Sequence, residues 1–178
     1  IHALDNGFDV TIYTFNLEIF DPTWFFPKTI KGDLLKHKLA LQMQAKANKK
    51  LKAACKAFIE FIEKGGKVKM QDLSGNLIMR YLRNKTPIIL GLSSTYLYRT
   101  SRDLIEGSNS SKNDVLGTPE GHFVVLESYD PGSRLVTLRD PWIENPYSQD
   151  LKYQITKDHL LTSFLMGLLT YDANLTVI

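Results

Sequence analysis

The chain has 178 residues, 43% hydrophobic and 23% charged, with one cysteine, four histidines and a formal net charge of +3. That length and apolar content allow a buried core and exclude wholesale disorder. No apolar run reaches membrane-spanning length, and a lone cysteine excludes an internal disulfide and agrees with a reducing, cytoplasmic setting. Residues 1–178 read as one domain, with the Gly, Ser and Asn patch from Leu104 to Leu116 as a loop insertion.

In chain order, IHALDNGF has the form of a helix end closed by Asn6-Gly7, which predicts that the chain begins inside an element. Phe8 to Phe15 alternates at Val10, Ile12 and Thr14 as a strand does. The aromatic stretch Phe20 to Pro27 reads as a loop that covers a core edge or lines a groove. Asp33 is placed to cap a helix running to about Ala47, with Leu35, Leu39 and Met43 inward and Leu34, Leu41 and Ala45 broadening the face. Leu51, Ala54, Cys55, Phe58, Ile59 and Ile62 form a second amphipathic face, stopped by Gly65-Gly66. Ala47 to Lys50 contains neither glycine nor proline, so one rod or two helices are both open.

After an extended piece at Val68, a helix over Leu73 to Tyr81 turns Leu77, Ile78 and Tyr81 inward, and NKTPIILGL is a buried strand. Ser93 to Glu120 is a polar excursion, either an insertion or a loop folded over a site. His122 to Tyr129, the turn Asp130-Pro131-Gly132-Ser133, and Leu135 to Arg139 form a hairpin. Thr156 caps a helix to about Met166, and GLLTYDANLTVI gives one or two closing strands. The sum is an α+β fold, a largely antiparallel sheet packed against helices.

Between Lys36 and Lys69 stand ten lysines against Glu60 and Glu63, a local charge of +8. The stretch holds no arginine, and its Phe58 and Phe61 are claimed by a helical core pattern, so a solvated face is expected in preference to nucleic-acid binding. His2, His37, His122 and His159 lack metal-ligand spacing, and no glycine-rich phosphate loop is present; neither metal nor cofactor is expected. Asn84, Asn109 and Asn174 open glycosylation-acceptor triplets, which matter only in a secreted chain.

The segment GHFVVLESYDPGSRLVTLRDPW, Gly121 to Trp142, carries the chemistry. With the turn at Asp130 to Ser133, residues whose numbers sum to about 263 lie opposite. Asp140 then faces Phe123, one position from His122, and a bulge or a frayed end is needed to align the two side chains. A carboxylate that holds one ring nitrogen leaves the other free to accept a proton from a nucleophile. A hydrogen-bonded strand-end histidine with no chemistry is the plain alternative.

This segment, with YLRNKTPIILGL upstream, resembles the peptidase C39-like family of papain-like cysteine peptidases. There a histidine opens a strand of the form His-Phe-Val-Val, and an Asp-Pro closes the next. His122, Asp140 and Pro141 occupy those positions. The upstream piece keeps the proline of the family's Gly-x-Pro-Val-Ile type segment and lacks its glycine. The resemblance covers roughly Leu77 to Trp142 and reaches weakly to Phe8 through Phe15. It implies His122 as general base and acid and Asp140 as orienting acid, acting with a cysteine that follows a glutamine as Gln-x5-Cys at a helix N-terminus.

Cys55 does not fit that role. It stands within a helix on the face of Leu51, Phe58 and Ile59, with Lys49 six positions before it, and no Gln-x5-Cys occurs upstream of His122. An apolar, buried thiol is a core residue. The implied fold is papain-like and incomplete at the N-terminus, with the nucleophile on a segment outside this chain, the isolated chain inactive, and a peptide or related amide as substrate. The alternative is an inactive C39-like module that binds a peptide in a groove bordered by Trp24, Phe25 and Trp142, or an anionic partner on the lysine face.

Overall fold

The computed structural model describes residues 1–28, 30–107, 109–170 and 173–178. The chain divides into two compact units, Ile1–Asp72 with Thr176–Ile178, and Leu73–Leu175.

In the first unit, α1 (His2–Asp5) ends at Asn6 and Gly7, whose φ of +81° is the left-handed turn that glycine adopts without strain. The expected strand is shorter than its alternation, β1 (Thr11–Thr14). The aromatic loop forms a short 3-10 turn, Pro22–Trp24, capped by Asp21, and buries Phe20 and Phe25. α2 (Gly32–Ala45) begins two residues earlier than Asp33 as a cap requires. Lys31 is the N-cap, and Asp33 lies in the first turn, 3.2 Å from Lys36. Leu35 and Leu39 are buried as expected, whereas Leu34 and Leu41 face solvent at 46% and 48% exposure, so the apolar stripe is narrower than its sequence.

The rod-or-two question is settled by Asn48. Its side chain accepts from the Leu51 amide at 3.1 Å and starts α3 (Lys49–Glu63) as a separate helix. Gly65 at φ +93° ends it. Gly66 lies so close to the Phe61 ring that any Cβ would overlap it, at 2.4 Å. β2 (Lys67–Lys69) pairs in parallel with β1, Thr11 opposite Lys67. Leu35, Leu39, Leu51, Cys55, Phe61 and Val68 belong to this unit's core.

The second unit opens with α4 (Gly75–Arg83), capped by Ser74. It buries Leu77, Ile78, Met79 and Leu82, while Tyr81 is only half-buried. β3 (Ile88–Ser93) is buried along nearly its whole length. The polar excursion is structured: it contains α5 (Ser94–Tyr98), capped by Ser93, and an antiparallel pair, β4 (Asp103–Glu106) and β5 (Asn109–Lys112). β6 (Gly121–Asp130) and β7 (Leu135–Arg139) form the expected hairpin, with Asp130 accepting from the Gly132 and Ser133 amides across the turn. β8 (Lys152–Thr156) was not anticipated, although Tyr153 and Ile155 alternate inward as a strand requires. α6 (Lys157–Met166) starts at Thr156, whose hydroxyl accepts from the His159 amide. β9 (Asn174–Val177) straddles the boundary between the units. The part of the closing-strand expectation that falls on Tyr171 and Asp172 lies outside the described residues.

Within this unit β3, β6, β7 and β8 lie side by side, each pair antiparallel, with α6 packed on β3 and α4 on β6. The chain is therefore mixed α+β, its antiparallel sheet packed against helices, as the apolar patterning implies. Among the described residues no helix is long and apolar enough to cross a membrane.

Candidate functional site

The β6 and β7 register explains how His122 and Asp140 meet. Near the turn Asp130 pairs with Leu135 and Ser128 with Thr137, but beyond a bulge Leu126 pairs with Leu138 and Val125 with Arg139. Glu127 is the extra residue. Side chains alternate with period two, so without this bulge, with Glu127 paired in a regular ladder, Asp140 would fall opposite Val125, on the face of exposed Phe123. With it, Asp140 continues past β7 on the face of His122, Val124 and Leu126. Glu127 itself lies outward, bound to Arg139 at 2.6 Å and Lys152 at 2.9 Å, which join the bulge to β7 and, across it, to β8.

His122 Nε2 lies 2.8 Å from Asp140 Oδ1. The carboxylate is 2% exposed and accepts from three further donors: the Trp142 amide to Oδ1 at 3.0 Å, and the Tyr98 and Tyr153 hydroxyls to Oδ2 at 2.5 and 2.6 Å. Burial raises its pKa, but the hydrogen bonds from Tyr153, Tyr98, His122 and Trp142 outweigh this and hold it below 3.8. An ionised carboxylate only accepts, so Nε2 carries the histidine proton and Nδ1 is the basic nitrogen. The two tyrosines respond in the opposite sense: burial, then the adjacent Asp140, pushes both phenols far above their ordinary value.

The rest of the site is aromatic. Tyr98 packs against Trp142 at 5.1 Å, and Tyr147 against Tyr153 at 5.0 Å between ring centroids. Tyr147 donates to the Leu97 carbonyl at 2.6 Å, tying this wall to α5. A cavity of about 170 Å³ opens at His122, lined also by Ser94, Tyr98, Thr100, Lys112 and Trp142. It contains no thiol.

Cys55 is fully buried in the first unit's core, where its Sγ contacts the Gln42 amide at 3.6 Å. Phe25 is buried in that same core and so borders no groove; Trp24 is half-buried and packs against that core, and Trp142 is 37% exposed in the second unit. His37 is exposed, His2 lies at the chain start beside Asn6, and His159 Nε2 is 2.8 Å from the Leu97 carbonyl. Among the described residues no group of three or more His, Cys, Asp or Glu side chains could hold a metal.

Sequence reading missed Tyr98, Tyr147 and Tyr153. The alternation of Lys152 to Thr156 was a usable signal for Tyr153, whereas Tyr98 sits in a stretch whose polarity conceals a short helix.

No curated protein and no solved structure matches the chain. A family model does match, over residues 40–165, a span that contains β6, the bulge, Asp140 and both tyrosines that bind it. With its antiparallel sheet, its packed helices and a single cysteine buried away from any nucleophile position, the chain belongs to the Peptidase_C39 like family.

Proposed function

We propose that this chain, by itself, is a peptide-binding module of C39-like fold and not a self-sufficient peptidase. The observation that carries this reading is the His122 cavity: aromatic on one side, polar on the other, and lacking a thiol, while Cys55 is sealed in a different core. A thiolate nucleophile needs access and a cationic or helix N-terminal environment, and Cys55 lies within α3 between apolar neighbours. Trp142 offers a half-open aromatic surface beside His122, suited to an extended peptide.

One observation favours a second reading. Asp140 holds Nε2, leaving Nδ1 to accept a proton. In that reading a cysteine supplied from outside this chain attacks a peptide or related amide carbonyl. His122 acts as general base and then acid, and Asp140 orients it.

A direct test measures binding of a dye-labelled peptide library by fluorescence polarisation and hydrolysis of the same library. Saturable binding weakened by Trp142→Ala, without turnover, is the expected outcome. Turnover by the isolated chain that survives Cys55→Ala would overturn it.

A further inference from the structure

Beside the His122 cavity lies a larger cleft, about 330 Å³, and Thr100 lines both. Its walls include Tyr96, Pro119 and Met166, and Tyr96 and Met166 remain 40% and 39% exposed. Apolar surface of this kind, concave and adjoining a candidate site, favours an apolar side chain.

Two arginines line the same cleft. Arg99 ends α5 in the left-handed conformation, φ +53°, and the Thr100 amide closes the turn on the Thr95 carbonyl at 3.2 Å. Arg102 donates to the backbone carbonyls of Asp114 and Val115. Carbonyls are neutral, so these bonds fix the guanidinium without cancelling its charge. Among the described residues neither arginine has an acidic side chain within ion-pair distance. The first unit holds no arginine, so this concentration is not a general feature of the chain's basic surface.

We infer that this cleft is a specificity subsite that takes an apolar peptide side chain with a carboxylate beside it. The inference rests on the peptide-binding reading and adds its substrate class. The side chain lies against Tyr96 and Met166, the carboxylate meets Arg99 and Arg102, and the adjoining peptide passes Thr100 to reach His122 and Trp142. A planar guanidinium pairs with a carboxylate through two parallel N–H donors, which fixes the direction of the chain as well as its charge.

The test uses fluorescein-labelled, end-capped heptapeptides with the sequence Ala-Ala-Ala-Leu-Glu-Ala-Ala, together with versions carrying Lys for Glu or Ser for Leu. A tetrapeptide ending in Leu, as free acid or amide, shows whether a terminal carboxylate serves as well as a side-chain one. The Leu-Glu peptide is expected to bind about fivefold tighter than Leu-Lys, the range of one to two partly solvated ion pairs, and the preference should shrink with added salt. The Ser-Glu peptide should be weaker, and Arg99→Glu should reverse the preference toward Leu-Lys. Arg99→Gln, which should abolish the preference, replaces that variant if charge reversal lowers the yield of folded protein. Equal binding of Leu-Glu and Leu-Lys, or a preference unchanged by either substitution, overturns the subsite. If all peptides bind alike and Trp142→Ala weakens them equally, the binding module stands and the subsite falls. If none binds, both fall.

Discussion

Asp140 accepts four hydrogen bonds, two on each oxygen, which is close to the capacity of a carboxylate. His122 and Asp140 were legible as candidates because a histidine opened one strand and an acid closed the next. The tyrosines were not, since nothing in a linear pattern says that a phenol on α5 and another on β8 will converge on one oxygen. Tyr98→Phe and Tyr153→Phe each remove a donor to a buried charge and are expected to lower stability by about 1.5–3 kcal/mol, measured by urea denaturation. The pH dependence follows from Asp140, whose folded pKa lies below 3.8. Its contribution to stability is fully present above 3.8 and is lost as pH falls through the lower folded value. Each Tyr→Phe change raises that folded value, so acid unfolding should begin at higher pH. Nitrogen-15 NMR of the His122 ring should find the proton on Nε2 in the unmodified chain and mixed tautomers in Asp140→Ala; mixed tautomers in the unmodified chain would contradict the assignment.

At the scale of elements, helices with strong apolar periodicity and named caps were readable: α3, α4 and α6 lie close to where Leu51, Leu77 and Thr156 placed them. Three features were hidden. β8 is only five residues long, β5 of the two-stranded β4–β5 pair is made wholly of polar residues, and the Glu127 bulge leaves no compositional mark. The expected pairing sum of 263 puts Asp140 opposite Phe123, whereas the observed register carries it to the Val124 position. A one-residue shift reverses the face of every following side chain. Inserting an alanine between Leu138 and Arg139, beyond the bulge, should therefore turn Asp140 to the opposite face, separate it from His122 and abolish the Nε2 tautomer preference. Glu127→Ala keeps the residue count, loses only exposed ion pairs, and should leave both the tautomer and the melting temperature nearly unchanged. In the first unit, Asn48→Ala removes the cap that starts α3 and should cost about 1 kcal/mol, read from a urea transition.

Across the whole molecule, charge is unevenly divided. Ile1–Asp72 holds twelve lysines and no arginine, while all six arginines lie in Leu73–Leu175. That division separates a lysine-rich surface from the arginines beside the candidate peptide site, and neutralising lysines between 36 and 69 should leave peptide affinity unchanged. The paired tyrosines also give the chain an optical reporter. Two of its eight tyrosines, Tyr98 and Tyr153, keep their protons well above the ordinary phenol value of 10.0 for as long as Asp140 stays enclosed. Above 10.0 the unfolded chain releases two protons that the folded chain retains, so stability falls as pH rises. An alkaline titration followed by phenolate absorbance should accordingly show a late step coincident with loss of far-ultraviolet circular dichroism, and Tyr98→Phe should shrink that step by half.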